Sequence, residues 1–251
     1  MSDYDDLAQL IALAAHPVPS LAGAVGQPTR DQLVCGDADN PARLVALHGA
    51  LHSRHQEAGP HYWGVRAWSL LIWQPIYLSL LAVHLAHRAP FLRHMGQSVS
   101  EGFVGGYRLP AHQPERGVLD ELIRFAASEV SGFIERQLAE FNSVLNIYPK
   151  LARLLMVDCV RDALLLVQRQ LGLDCTQLLG LEQRWLAALA QPTASGLISV
   201  RLDDGRECLA LERRACCQHF RRLDGELCAT CPKRKPGERL SCLRKEMAGP
   251  C

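Results

Sequence analysis

The chain has 251 residues, 48% hydrophobic and 21% charged, the balance of a soluble globular protein long enough to bury a sizeable core. Its formal net charge is +1, so no global field points to nucleic acid or a membrane surface. The N-terminus, MSDYDDLAQL, starts acidic where an export signal needs a basic region, so a cytoplasmic location is expected. In that reducing compartment ten cysteines read as metal ligands or redox groups before disulfides.

Taken in chain order, Leu7, Leu10, Ile11 and Ala14 have helical spacing and predict a helix over 6–15. A loop rich in Pro, Gly and Asp follows. Asn40 then reads as an N-cap and Pro41 as the first turn of a helix running to about Ala58, before Gly59 and Pro60. Residues 67–87 hold 21 positions without Asp, Glu, Lys or Arg, the length of a membrane span. Pro75 and the polar Ser69, Ser79, His84 and His87 argue instead for a buried core helix, kinked or interrupted at Pro75. Residues 96–117 read as irregular, with a short strand near 104–109.

A stripe of Leu119, Leu122, Ile123, Ala126, Val130, Phe133, Ile134, Leu138 and Phe141 predicts a long helix over 118–144. Another is expected over 150–171. Asp174 and Gln177 form a capping-box pattern opening a helix to about Ala190. After Pro192 the character changes: short β-prone runs at 197–200 and 207–211 flank Asp204-Gly205, a hairpin signal. The expected fold class is mainly α (α+β), with a helical body over 1–191 and a hairpin plus cysteine-rich appendage over 192–251.

The hairpin leads into RRACCQHFRRLDGELCATCP, residues 213–232, with Cys216, Cys217, Cys228 and Cys231 spaced C-C-x10-C-x2-C. Residues 212–246 hold ten Lys or Arg against five Asp or Glu, a local +5 where the rest of the chain carries −4. Thiolates are soft ligands suited to zinc or iron–sulfur centres. Adjacent cysteines make a poor clip for one ion, because neighbouring side chains of an extended chain point to opposite sides. A two-iron centre accepts sulfurs from different directions, so the geometry leans towards [2Fe–2S]. A zinc set can still be drawn from Cys217, Cys228, Cys231 and Cys242, leaving Cys216 out. A Rieske centre needs two histidines, and only His219 is nearby.

This double-Cys signature closely resembles that at the C-terminus of the siderophore ferric-iron reductases, the FhuF-like family. The specific likeness covers about twenty residues; the rest agrees in length, helical character and motif position. The resemblance implies a [2Fe–2S] cofactor bound by Cys216, Cys217, Cys228 and Cys231. It implies one-electron reduction of siderophore-held Fe(III), with Fe(II) released in the cytoplasm. The alternative function is a zinc-stapled module that binds a siderophore or a protein without redox activity. Cys242 and Cys251 lie outside the motif and have no assigned role.

Arg213, Arg214, Arg221, Arg222, Lys233, Arg234 and Lys235 are candidates for raising the potential of a cluster that is more negative when reduced, or form a solvated basic surface. No G-x-G-x-x-G or P-loop is present, so the electron is expected from a ferredoxin-type partner or a small reductant. The other expected partner is a ferric siderophore. No nucleic acid and no transmembrane span are expected, and peripheral membrane contact is left open.

Tyr62, Trp63, Trp68, Trp73 and Tyr77 can line a pocket but at this spacing read as core. Any pocket is expected between the helical body and the cysteine-rich segment. His48, His52 and His55 share a helix face and read as an exposed face rather than a metal site. Cys159 and Cys175 read as packed thiols.

Overall fold

The computed structural model describes residues 3–248, and the fold is mainly α with two small sheets. Helix α1 spans Asp3–Ala15; strands β1 (Gly23–Val25) and β2 (Leu33–Val34) lie in the loop that follows. Next come α2 (Asn40–Arg54), α3 (Gly59–Leu81) and a π-helical turn over Ala82–Ala86. The pair β3 (Gly96–Ser100) and β4 (Phe103–Leu109) precedes α4 (Leu119–Val144), α5 (Pro149–Leu171) and α6 (Cys175–Ala188). Strands β5 (Leu197–Arg201) and β6 (Glu207–Leu211) and helix α7 (Pro236–Met247) complete the described chain.

The apolar run predicted at 67–87 is the central helix. Among others, α3 packs against α2, α4 and α5, and Ala67, Trp68, Leu71, Ile76, Leu78, Leu80 and Leu81 are at most 1% exposed or fully buried. A helix apolar on every side has no face to give to water, so it must be enclosed. The Trp68 indole donates to the Ala152 carbonyl at 3.1 Å, fixing α3 to α5.

Of the expected kink or interruption at Pro75, the interruption is not found: α3 runs through it. Proline cannot donate to the carbonyl four residues back, that of Leu71. That carbonyl instead accepts from the buried Gln97 side chain of β3 at 3.0 Å. A tertiary hydrogen bond fills the place of the missing helical one, so the helix has no reason to end there.

A second correction concerns Asn40. The N-cap of α2 is Asp39, and Asn40 is a buried first residue whose amide donates to Glu140 of α4 at 2.8 Å. The side chain read as a local cap is spent on holding two helices together. At α6 the reading is borne out: Asp174 accepts from the Gln177 N–H at 2.8 Å, and the Gln177 side chain accepts from the Asp174 N–H at 2.9 Å.

The larger sheet has the order β1-β4-β3-β2, with β1 parallel to β4 and the other pairs antiparallel. Three of its strands lie where the sequence reads as loop. They are short, and β1 and β2 are edges that gain their partners only from residues about 60 or more positions away. The predicted hairpin is present, with Leu197 opposite Leu211 and Arg201 opposite Glu207.

One apolar core runs from Leu7 to Ala215 and takes in Leu197, Leu209 and Leu211 from the hairpin. The opposite hairpin face builds a second core of Val200, Leu202, Ala210, Ala229 and Leu243. Helix α7, which the sequence reading did not foresee, supplies Leu243. The hairpin is thus shared: one face closes the helical body, the other carries the cysteine-rich segment.

A buried polar network fixes that seam. Arg161 of α5 pairs with Glu182 of α6 at 2.6 Å and donates to the Ala194 carbonyl at 3.0 Å. Glu182 also accepts from the Ser195 hydroxyl at 2.6 Å and the Gly196 N–H at 3.1 Å. The chain entering β5 is thereby tied to both helices by charge-assisted bonds, which are shielded from water.

Candidate metal centre

Leaving β6, the chain meets α5 again at once. The buried Asp158 accepts from the backbone N–H groups of Arg214 and Ala215, both at 3.2 Å. Burial pushes the Asp158 carboxyl up from its ordinary range, while these two donors and Arg213 favour its charged form. The result is a strut that sets the two residues immediately before Cys216.

After Cys217 the chain turns sharply. Gln218 takes a left-handed conformation, φ 58°, and a 3-10 turn follows over His219–Arg221. The His219 N–H donates to the Cys217 sulfur. Gly225 packs against the His219 carbonyl so closely that a Cβ there would lie 2.1 Å from its oxygen; any side chain would push the loop open. The Leu223 N–H is held by Glu57, just after α2, at 3.1 Å.

Cys228 and Cys231 sit on one turn, closed by the Cys231 N–H donating to the Cys228 carbonyl at 3.0 Å. That carbonyl also accepts from Arg234 at 3.0 Å, and Arg234 reaches the Leu227 carbonyl as well. The Thr230 hydroxyl donates to the Cys228 sulfur at 3.7 Å. Cys231 is 2% exposed beside Ala229, whose packing belongs to the second core.

The segment thus brings Cys216, Cys217, Cys228 and Cys231 together. The Cys217 thiol donates to Cys228, which lowers the Cys228 thiol to about 7, helped by Thr230 and Arg213 against the opposing effect of burial. The same bond, with burial, pushes Cys217 up. Among the described residues no three His, Cys, Asp or Glu side chains converge as a shell for one ion. That holds for the zinc set of Cys217, Cys228, Cys231 and Cys242 and for the motif set alike; what sets Cys242 apart is its place on α7 against the second core. Cys251 is outside the described residues. Four soft donors clustered on one short segment, a sulfur holding an N–H, and a neighbouring cation are a donor set that suits a two-iron centre.

Five of the seven basic candidates separate by what they touch. Arg222 pairs with Asp224, Arg234 holds the loop carbonyls, and Arg221 bonds Gln218. Lys233 lies over the Phe220 ring, 5.3 Å from its centroid. Arg213 faces the thiols: its charge acts on both Cys217 and Cys228. Its Nε is buried without a hydrogen-bond partner.

A cavity of about 400 Å³ opens against Cys217, between α3, α5 and the thiol segment. Trp73 and Tyr77, read from the sequence as core, line it together with Phe103, whereas Tyr62 and Trp68 are true core. The Trp73 indole donates to the Val104 carbonyl at 3.0 Å, and the Tyr77 hydroxyl donates to Asp162 at 2.8 Å. Burial and Asp162 push the Tyr77 hydroxyl up, so it stays protonated as a donor.

The sequence reading missed Arg66, Asp158 and Asp162, which also line the cavity. A signal for two of them existed. Asp158 and Asp162, with Arg161 between them, break the apolar run LLMVDCVRDALLLV, and the two aspartates lie four residues apart on one face of α5. Arg66 carried no such signal, because a single arginine in a helix usually faces water.

The remaining candidates are packing groups. His52 stacks on Trp63 with centroids 4.3 Å apart, His48 meets the same ring edge-on at 5.8 Å, and His55 meets Tyr62 at 5.6 Å. Burial pushes the Cys159 thiol up, and burial with Glu140 pushes Cys35 up to about 12. Cys175 donates to the Glu207 carbonyl at 3.7 Å.

No solved structure matches the chain. Residues 213–233 match the family described as the FhuF 2Fe-2S C-terminal domain, and all four clustered cysteines fall within that match. Beyond β6, therefore, the chain carries a FhuF-type [2Fe–2S] C-terminal domain.

Proposed function

We propose that this protein is a cytoplasmic one-electron reductase of ferric iron held by a siderophore, with Cys216, Cys217, Cys228 and Cys231 holding the [2Fe–2S] cluster. The division of labour is a helical body over 1–191 that walls the substrate cavity and a segment over 192–251 that carries the thiols. The observation that carries the reading is the cavity itself, which opens against Cys217 inside the matched segment.

When bound, a [2Fe–2S] group supplies one electron at a time. The remaining work belongs to the chain. Arg213 places a cation beside Cys217 and Cys228, which favours the more negative state of the site. The His219 N–H on the Cys217 sulfur acts in the same direction. The Asp158 strut fixes where Cys216 and Cys217 begin. Trp73, Tyr77 and Phe103 give the cavity aromatic walls beside the thiols.

The chemistry favours release. Fe(III) is hard and strongly held by anionic oxygen ligands; adding one electron gives Fe(II), which those ligands hold far less well. The electron comes from an external one-electron donor, a ferredoxin-type protein or a small reductant, and is consumed by the iron.

Anaerobic purification with iron, sulfide and zinc analysis tests the cofactor. About two irons and two sulfides per chain, with an S = ½ signal after dithionite, are expected. Mixing the reduced protein with a ferric siderophore should then yield Fe(II), read by a ferrous-specific chelator. One zinc per chain without sulfide, even after attempted cluster reconstitution, would overturn the reading and leave a metal-stapled binding module.

A further inference from the structure

The charged groups around the cavity are unequally committed. Both carboxylates are hydrogen-bonded within the protein: Asp162 accepts from Tyr77 through one oxygen, and Asp158 accepts from two backbone N–H groups. The two guanidinium groups are less committed. Neither Arg66 nor Arg213 forms an ion pair with a carboxylate among the described residues, and the Arg213 Nε is buried with no partner at all. Each guanidinium therefore keeps N–H donors free for a ligand that brings acceptors. A guanidinium fork matches a pair of neighbouring oxygens.

Size narrows the occupant further. About 400 Å³ lies near the lower end of ligand pockets, which run from about 300 to 1,000 Å³. That holds one arm of a three-armed chelate and leaves the rest outside. Phe103, 42% exposed at the rim, offers the apolar surface for what remains outside.

We propose that this cavity seats one bidentate oxygen arm of the ferric chelate, gripped at its metal-bound oxygens by Arg66 and Arg213 beside Cys217. The proposal rests on the reductase reading and adds the substrate contact to it. It makes the cavity selective for arms rich in oxygen acceptors over arms that offer only N–H donors, which would leave both guanidinium groups without an acceptor.

The test uses a gallium(III) trihydroxamate complex, a redox-inert stand-in for the ferric one, titrated into oxidised holoprotein by calorimetry and by tryptophan fluorescence. Arg66→Gln should weaken binding by about tenfold, the loss of a charged hydrogen bond. Ser69→Trp, which fills the cavity from α3, should weaken it at least as much. Both variants should keep wild-type iron and sulfide content, which separates binding loss from cluster loss. Unchanged gallium affinity in both variants, or no binding to wild type, would overturn the cavity assignment. Ferric-chelate reduction by wild type is measured separately: its absence sinks the reductase reading, while gallium binding still decides whether the cavity seats a chelate.

Discussion

The helical body and the thiol segment are stabilised in different ways. The body is one continuous apolar core in which Leu7, Trp68, Val160 and Trp185 are fully buried. The segment has a second core of only five buried residues, and its path between Cys216 and Cys231 is fixed by turns, side-chain-to-carbonyl bonds and Gly225. Apolar burial is non-directional and tolerates adjustment; a loop held by single hydrogen bonds is specified point by point. The contrast predicts that the body folds without the cofactor, whereas the segment depends on its bonds to the thiols for part of its stability.

The sharpest way to break that contrast is to remove a thiol. Cys228→Ser should abolish iron and sulfide retention while leaving helical circular dichroism unchanged; loss of the helical signal would mean that the two regions fold as one. Next in size, Trp68→Ala deletes a fully buried indole and its bond to Ala152, and should cost about 3–5 kcal/mol in chemical denaturation. If the body were as loosely held as the segment, the loss would be far smaller.

The third test is pH. His84 is 4% exposed, its Nε2 accepts from the Trp185 indole at 2.9 Å, and burial lowers its pKa to about 4 from 6.5. The folded state therefore holds the neutral ring, while the unfolded chain takes up a proton below pH 6.5. Stability is fully present above pH 6.5 and should fall by roughly 3 kcal/mol by about pH 4. His84→Gln should flatten that slope. The smallest effect is expected at the seam: Asp158→Asn keeps an acceptor for Arg214 and Ala215 but loses the charge, at about 1 kcal/mol. It should appear as faster iron loss to a chelator, with the melting of the body little changed.

The legible parts of this fold are those whose signal is local. The stripe of α4, the capping box of Asp174 and the Asp204-Gly205 turn each lie within a few residues of the element they define. The four-cysteine signature was legible for the same reason, since its spacing is itself the motif. The strands β1, β2 and β3 and the helix α7 were not read, being too short or too polar to show a period of their own.

By itself, then, the sequence determined the helices α1 to α6, the hairpin and the thiol spacing, because periodicity and turn chemistry act over a few residues. Tertiary structure decided that Pro75 does not end α3, because Gln97 reaches the orphaned Leu71 carbonyl from another strand. It decided that Asn40 ties two helices instead of capping one. It also decided that Arg66, Trp73, Asp162 and Cys217, from three distant stretches of chain, share one cavity. Such meetings depend on how helices pack in space, which no local pattern along the chain encodes.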